Sequence, residues 1–363
     1  MAGFTSQSSV LAFLSFALVL LVLGTYARPI DHQNVVSFKE MHERWMRRHE
    51  RAYKNELEKE MRLNIFKKNV EYIFQKLNNN TNANTELSSY KSLESSLNAF
   101  ADLSNEEFVA TYTGYTKPTR SESMTMTYDN TTHGHGLADY LPSSVDWRSS
   151  GVVTPIKNQE NCGCCWAFAA VAALEGLNKI KGGQLISLSE QELLDCVTNN
   201  TCKGGNMTDA YDFIIQQTQG RMSTENEYPY QGFQGQCQAD AATAAGGSQI
   251  MISSYTQVNP NDEMALMAAV AQQPVSVAIA ANGSDFQLYP ASTSGRVFQG
   301  NCGTISNHAV TVIGYGTDTD GTDYWLIKNS WGENWGENGY MKMIRGYNFC
   351  NIASDASYPT YNS

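Results

Sequence analysis

The chain has 363 residues, enough for two domains of ordinary size, and its 42% hydrophobic content supplies buried cores. Its formal net charge of −11 excludes a chain built to hold nucleic acid by phosphate neutralisation. The charge is divided unevenly: residues 1–140 carry 15 basic and 16 acidic side chains and residues 141–363 carry 10 and 20, so almost the whole excess lies in the second part.

In chain order, residues 1–27 read as a signal peptide. Val10 to Gly24 is almost purely apolar, shorter than the roughly 20 residues a membrane span needs, and small residues follow at Thr25 and Ala27. No second stretch approaches membrane length, so the mature protein is expected to be soluble, to bind no membrane, and to pass through the secretory pathway to a vacuole, a lysosome or the outside. From Val36 to about Leu77 the pattern is helical, and Glu58, Arg62, Phe66, Asn69 and Ile73 recur at steps that share one helix face. Asn78 to Ser96 reads as a loop. Order resumes at Asn98, Phe100, Asp102 and Asn105 to Phe108, and the polar stretch from Thr111 to Gly136 reads as a linker and processing site.

After Leu141-Pro142 the chain has fewer charges, more glycine and all eight cysteines. Cys165 to about Lys181 is Ala-rich without Pro and predicts a buried helix with Cys165 at its start. Pro274 to Ala281, His308 to Gly316, Tyr324 to Ser330 and Gly339 to Gly346 predict strands. Sequons at Asn79, Asn130, Asn199 and Asn282 are candidate glycan acceptors, whereas a fifth, at Asn206, is expected to be empty. No retention tail of the Lys-Asp-Glu-Leu type follows Tyr358-Pro359, which argues against retention in the endoplasmic reticulum.

A cysteine nucleophile needs a thiolate, and a helix N-terminus with a neighbouring imidazolium lowers a thiol pKa. Cys165 has the helix start. His308 is the one histidine after residue 141, and Asn329 supplies an amide that can orient an imidazole without competing for its charge. The cluster Cys162, Cys164 and Cys165 lacks the second group of Cys or His that zinc would require, so no metal and no cofactor is expected.

Gln159 with Cys162-Gly163-Cys164-Cys165-Trp166-Ala167-Phe168, then Asn307-His308-Ala309 and Asn329-Ser330-Trp331-Gly332, resembles the papain family of cysteine proteases. Glu58, Arg62, Phe66, Asn69 and Ile73 resemble the inhibitory helix of that family's propeptide, and Asn98, Phe100 and Asp102 its second motif. The resemblance implies an α+β, papain-like fold: a helical half at about 141–250 and an antiparallel β half at about 251–363 with the cleft between them, preceded by a helical inhibitory propeptide at 28–140. It implies an endopeptidase made as a zymogen, with Cys165 as nucleophile, His308 as acid and base, Asn329 as orienter and Gln159 in the oxyanion hole. Trp331 would shield the Asn329–His308 bond. Gly163, Gly204, Gly205, Asn206, Met207, Ala278, Ser306, Asn307 and Trp331 would meet the substrate, with Asp355 at the base of the main specificity pocket.

The pairings Cys162–Cys202, Cys196–Cys237 and Cys302–Cys350 are likewise inherited from the resemblance, since six cysteines alone allow fifteen. Implied partners are peptide and protein substrates, the chain's own propeptide and cystatin-like inhibitors, with the enzyme a monomer and its destination resembling that of plant senescence-associated vacuolar proteases. Three positions depart from the family pattern: Cys164 stands where Ser or Ala is usual, Ser96 replaces a Gly, and Asn78 comes one place late. The other readings open to the sequence are an inactive homologue kept for binding or storage, and a peptide ligase or transpeptidase using the same acyl-enzyme.

Overall fold

The computed structural model describes residues 37–79, 93–94, 96–118, 126–128, 141–238, 251–290 and 296–361. The expected signal peptide, Asn130 and most of the expected processing site lie outside them.

Helix α1 (Phe38–Arg48) starts at a capping box, with Ser37 and Glu40 satisfying each other's backbone N–H, and ends on Arg47 and Arg48 where cations suit the helix dipole. The single helical pattern from Val36 to Leu77 is broken here. Glu50 takes a φ of 50°, and Asn55 opens a second helix, α2 (Glu56–Asn79), by accepting from the Glu58 N–H at 2.9 Å. Helix α2 runs past Leu77, and Leu93-Glu94 form a helical turn inside the stretch read as a loop. Phe66 on α2 is buried with Met41, Trp45, Val70, Leu93, Leu97 and Ala101 in a small separate core. Around it Arg44 grips Glu94 at 2.7 and 3.0 Å, and the Asn69 amide donates to the carbonyls of Ala101 and Leu103, both at 2.9 Å. Arg62, on the same face, reaches Glu107 at 2.8 Å on the short helix α3 (Asn105–Tyr112).

Helix α4 (Cys165–Ile180) is buried on all sides, as its Ala-rich sequence requires, and packs with α5 (Glu190–Cys196) and α6 (Met207–Gln217). The second half holds strands β3 (Ser254–Gln257), β4 (Val275–Ala280), β5 (Ser306–Thr317), β6 (Asp323–Lys328), β7 (Tyr340–Ile344) and β8 (Ala356–Thr360), with α7 (Glu263–Gln272) and a turn of helix, α8 (Ser284–Gln287). Two strands come from earlier in the chain, β1 (Met126–Tyr128) and β2 (Val145–Asp146). The order is β1-β3-β8-β4-β5-β6-β7 with β2 beside β5; β1 pairs parallel to β3 and the other pairs are antiparallel. Residues 145–146 therefore belong to the β layer although they fall within the expected helical half of about 141–250, because they pair with β5.

One core lies among α4, α5 and α6 and reaches Ala278 on β4 and Ala309 on β5; the other fills the opposite side of the sheet, against α7. Their boundary places the N-terminus of α4 against β5. Disulfides join Cys162 to Cys202, Cys196 to Cys237 and Cys302 to Cys350, closing separations of 40, 41 and 48 residues. Each such bridge contributes about 2–4 kcal/mol, mainly by restricting the unfolded chain. Cys164 and Cys165 are free.

Candidate active site

Cys165 is the first residue of α4, where the unpaired N–H groups of the opening turn favour negative charge. Its Sγ accepts from the Ala309 N–H at 3.3 Å, which ties the helix start to β5 one residue beyond His308. His308 Nε2 lies 2.8 Å from Asn329 Oδ1, and that oxygen only accepts, so Nε2 carries the proton and Nδ1 keeps a lone pair. Nδ1 is buried and has no hydrogen-bond partner. Asn329 is held in turn by the Ser330 N–H, which donates to the same Oδ1 at 2.8 Å. Trp331 stacks on the imidazole with ring centres 4.3 Å apart.

Both reacting groups are fully buried, and burial dominates their acidity. The Cys165 thiol is pushed up to about 11 despite nearby backbone donors. The His308 imidazole is pushed down to about 4, with Asn329 opposing. The pair is therefore neutral in this state, a thiol beside a free base.

What buries them is the segment from Tyr112 to Thr116, the first part of the stretch whose composition suggests a linker. From Thr113 onward it lies extended in the cleft. Gly114 and Tyr115 donate their N–H groups to the Asn307 carbonyl, both at 2.9 Å; Thr116 donates to the Gly205 carbonyl, and Gly205 donates back to Gly114, both at 2.8 Å. Tyr115 and Gly205 form a parallel bridge. A Cβ on Gly114 would sit 1.9 Å from the Gly163 carbonyl oxygen, so only glycine passes at this point. Gly205 is similarly confined, with a Cβ there 2.8 Å from Trp166.

The Gln159 side chain donates through Nε2 to the carbonyls of Tyr112 at 3.1 Å and Cys162 at 2.9 Å, while its Oε1 accepts from Ser330 Oγ at 2.7 Å. Ser330 thus fixes both Asn329 and Gln159, a function that the sequence reading did not assign although Ser330 stands in the quoted motif. Tyr115 lies in one apolar cluster with Met207, Ala278 and Ala309, and its hydroxyl donates to Asp355 Oδ2. Asp355 is partly buried and joined to β4 by its carbonyl, which accepts from the Ala278 N–H at 2.9 Å. Asn307 on β5 borders the same cleft, its amide donating to Thr113 Oγ1 at 3.2 Å, while the hydroxyl of its neighbour Ser306 lies 3.4 Å from Asn351 Nδ2.

Asn206 differs from its expected role in the pocket wall. It is the N-cap of α6: its Oδ1 accepts from the Asp209 N–H and Thr208 Oγ1, and its Nδ2 donates to Asp209 Oδ2. Its carboxamide is buried and spent, with no room for a sugar. Asn199 is exposed, whereas the Asn282 carboxamide packs against Gly303 with a buried oxygen.

The residues that precede the blocking segment dock on the β half. Phe100 and Phe108 pack edge-on against Trp331 at 5.5 and 5.1 Å. Asn98 donates to the carbonyls of Gln287 and Tyr289 at 2.7 and 2.9 Å, and Tyr72 and Lys76 both reach Asp285. Asp102 faces inward instead, accepting from Tyr53 at 2.9 Å.

Residues 141–360 match the description Papain family cysteine protease, and residues 42–108 match Cathepsin propeptide inhibitor domain. The chain belongs to the papain family of cysteine proteases. It is 44% identical over 347 residues to a senescence-specific cysteine protease of Arabidopsis thaliana, covering 93% of each chain. It is 41% identical to fruit bromelain of Ananas comosus, covering 97% of this chain and 95% of the relative. Among solved structures it resembles a recombinant stem bromelain precursor at 40% identity and a TM-score of 0.75, covering 90% of this chain and 99% of that one. The proform of the ragweed pollen allergen Amb a 11 follows at 34% and 0.73, with 90% and 95% covered. The fold is papain-like, and the protein is a cysteine protease in zymogen form, carrying its propeptide inhibitor domain.

Proposed function

We propose that this papain-family protease is an endopeptidase acting through Cys165, His308 and Asn329, with Gln159 in the oxyanion hole. One observation carries the reading: an extended peptide, Thr113 to Thr116, is hydrogen-bonded on both sides by backbone of the cleft where it crosses Cys165. Gly205 and Asn307 would hold a substrate backbone in the same way once this segment is gone. The loss of its burial lets His308 Nδ1 take the Cys165 proton, giving a thiolate stabilised by the α4 N-terminus and an imidazolium oriented by Asn329.

The thiolate attacks the scissile carbonyl carbon. The Gln159 Nε2 and the Cys165 N–H stabilise the resulting oxyanion, and His308 returns its proton to the leaving amine. Water, deprotonated by His308, then cleaves the thioester and regenerates the thiol.

Met207 and Ala278 wall the main specificity pocket and Asp355 ends it, so it takes apolar side chains and also those tipped with a donor. Arg or Lys would form a charge-assisted bond there. The signal peptide, cleavage between residues 131 and 140, and delivery to a vacuole, a lysosome or the outside complete the proposal, with Asn199 the acceptor whose exposure best suits a glycan. The test is acid incubation of the full chain with N-terminal sequencing and peptide hydrolysis. Processing followed by thiol-dependent cleavage within a peptide supports the reading; a processed chain that removes only terminal residues contradicts it.

A further inference from the structure

Cys164 is fully buried beside Cys165 and has no part in the chemistry above. Its Sγ lies 3.1 Å from the hydroxyl of Tyr230, and that hydroxyl donates to the backbone carbonyl of Gln159 at 2.7 Å. A phenol has one proton. With that proton on Gln159, the Tyr230 oxygen is left to accept, so the Cys164 thiol is the donor. Burial pushes this thiol above its ordinary range, which keeps the proton in place. The Gln159 carbonyl has a second partner, the Cys162 N–H, at the longer distance of 3.3 Å. Tyr230 is itself fixed, by its N–H to Glu225 Oε1 at 2.9 Å and by an edge-on contact with Phe168 at 5.0 Å.

We propose that Cys164 and Tyr230 are positioning residues for the oxyanion hole. The chain from the Cys164 thiol through the Tyr230 hydroxyl to the Gln159 carbonyl holds the backbone of the residue whose side chain is aimed at the reacting carbonyl. Ser330 holds the same residue at its carboxamide and, through its own carbonyl, at its backbone N–H at 2.8 Å, which leaves the Gln159 carbonyl to Tyr230 and Cys162. A small misplacement of a preorganised donor weakens transition-state stabilisation while leaving ground-state binding alone. Position 164 therefore needs a buried donor. Cysteine supplies one, serine would, and alanine would not.

The inference rests on Gln159 as an oxyanion donor, and the experiment separates the two. Full-length Cys164→Ala, Cys164→Ser, Tyr230→Phe and Gln159→Ala chains are matured by acid, and active sites are counted with an epoxide thiol-protease inhibitor. Then kcat, KM and the rate of Cys165 alkylation by iodoacetamide are measured, because alkylation develops no oxyanion. Cys164→Ala and Tyr230→Phe are expected to lose about five- to tenfold in kcat, the size of one neutral hydrogen bond, with KM and alkylation unchanged. Cys164→Ser recovers most of that loss, and adding Cys164→Ala to Gln159→Ala costs nothing further. An unchanged kcat in Cys164→Ala, a parallel fall in alkylation, or full additivity with Gln159→Ala overturns the proposal. An unimpaired Gln159→Ala overturns the oxyanion assignment and this proposal with it.

Discussion

The hydroxyl of Tyr115 donates a hydrogen bond to the carboxylate of Asp355, joining residues 240 positions apart across the cleft. The blocking segment therefore fills the proposed specificity pocket with a side chain that is aromatic along its length and a donor at its tip. Burial lifts the Asp355 carboxyl above its ordinary range, with the Tyr115 bond opposing.

A substrate side chain should use the same acceptor. Replacing Asp355 by Ala is expected to lower kcat/KM for a substrate with Arg two residues before the cleaved bond by about ten- to a hundredfold at pH 7, and to spare the Phe substrate. The effect should shrink towards pH 4 as the carboxylate protonates. An Arg-to-Phe ratio unmoved by the substitution would place Asp355 outside recognition.

The zymogen's thiol and imidazole are held apart in acidity, at about 11 and about 4, so at pH 7 neither is charged. Alkylation of Cys165 by iodoacetamide should be negligible in the intact zymogen between pH 5 and 8. It should be fast after maturation. Rates compared at matched protein concentration check this, and equal rates in the two forms would show that the segment does not suppress the thiolate.

Acid should loosen the inhibitor domain through two histidines. His42 is buried against Trp45 and Phe66, with Tyr53, Glu43 and Lys59 near it, and burial lowers its pKa. His49 is pushed down to about 4 by burial, beside Arg48 and Arg51. A histidine whose folded pKa lies below its unfolded one binds protons better when unfolded. Stability is then intact above about pH 6.5 and falls as the pH drops towards 4. Asp102 opposes this, because burial raises its pKa and protonation suits its folded state, while Glu107, held low by Ser104 and Arg62 against burial, adds to the loss at the acid end. Replacing both histidines by Gln should shift the midpoint of maturation to lower pH by several tenths of a unit or more, read by gel and N-terminal sequencing. An unmoved midpoint would assign the trigger to the carboxylates.

Lys157 bonds Glu175 on α4 at 3.0 Å and Glu190 on α5 at 2.7 Å, and both carboxylates are almost wholly buried. Exchanging Lys157 for Met removes the cation bonded to both buried acids and leaves Lys328, which reaches Glu175 through Thr154, a loss of about 3–5 kcal/mol. Denaturant unfolding at pH 7 measures it, and a loss within 0.5 kcal/mol, about the scatter of an ordinary surface substitution, would contradict the account.

The elements that carry the candidate catalytic residues were legible because each had a local signal. Cys165 opens a Pro-free Ala-rich helix, and the strands carrying His308 and leading to Asn329 are β-branched runs bounded by turns. The break at residues 49–55 was missed because helical spacing continues on both sides, although Asn55 and Glu58 carry a cap signature. The blocking segment was hidden for another reason. Tyr112 to Thr116 has a linker's composition and takes its order from the backbone of Gly205 and Asn307, partners far away in sequence. Asp355 and Tyr115 were likewise brought together by tertiary structure, and no local pattern records their bond.

The most direct measurement is peptide mapping by mass spectrometry after exposure to an epoxide thiol-protease inhibitor, before and after acid maturation. The account predicts one adduct, on Cys165, in the matured chain, formed in step with the loss of hydrolysis, and none in the zymogen at pH 7. An adduct on Cys164, or equal labelling of Cys165 in the zymogen, would contradict it.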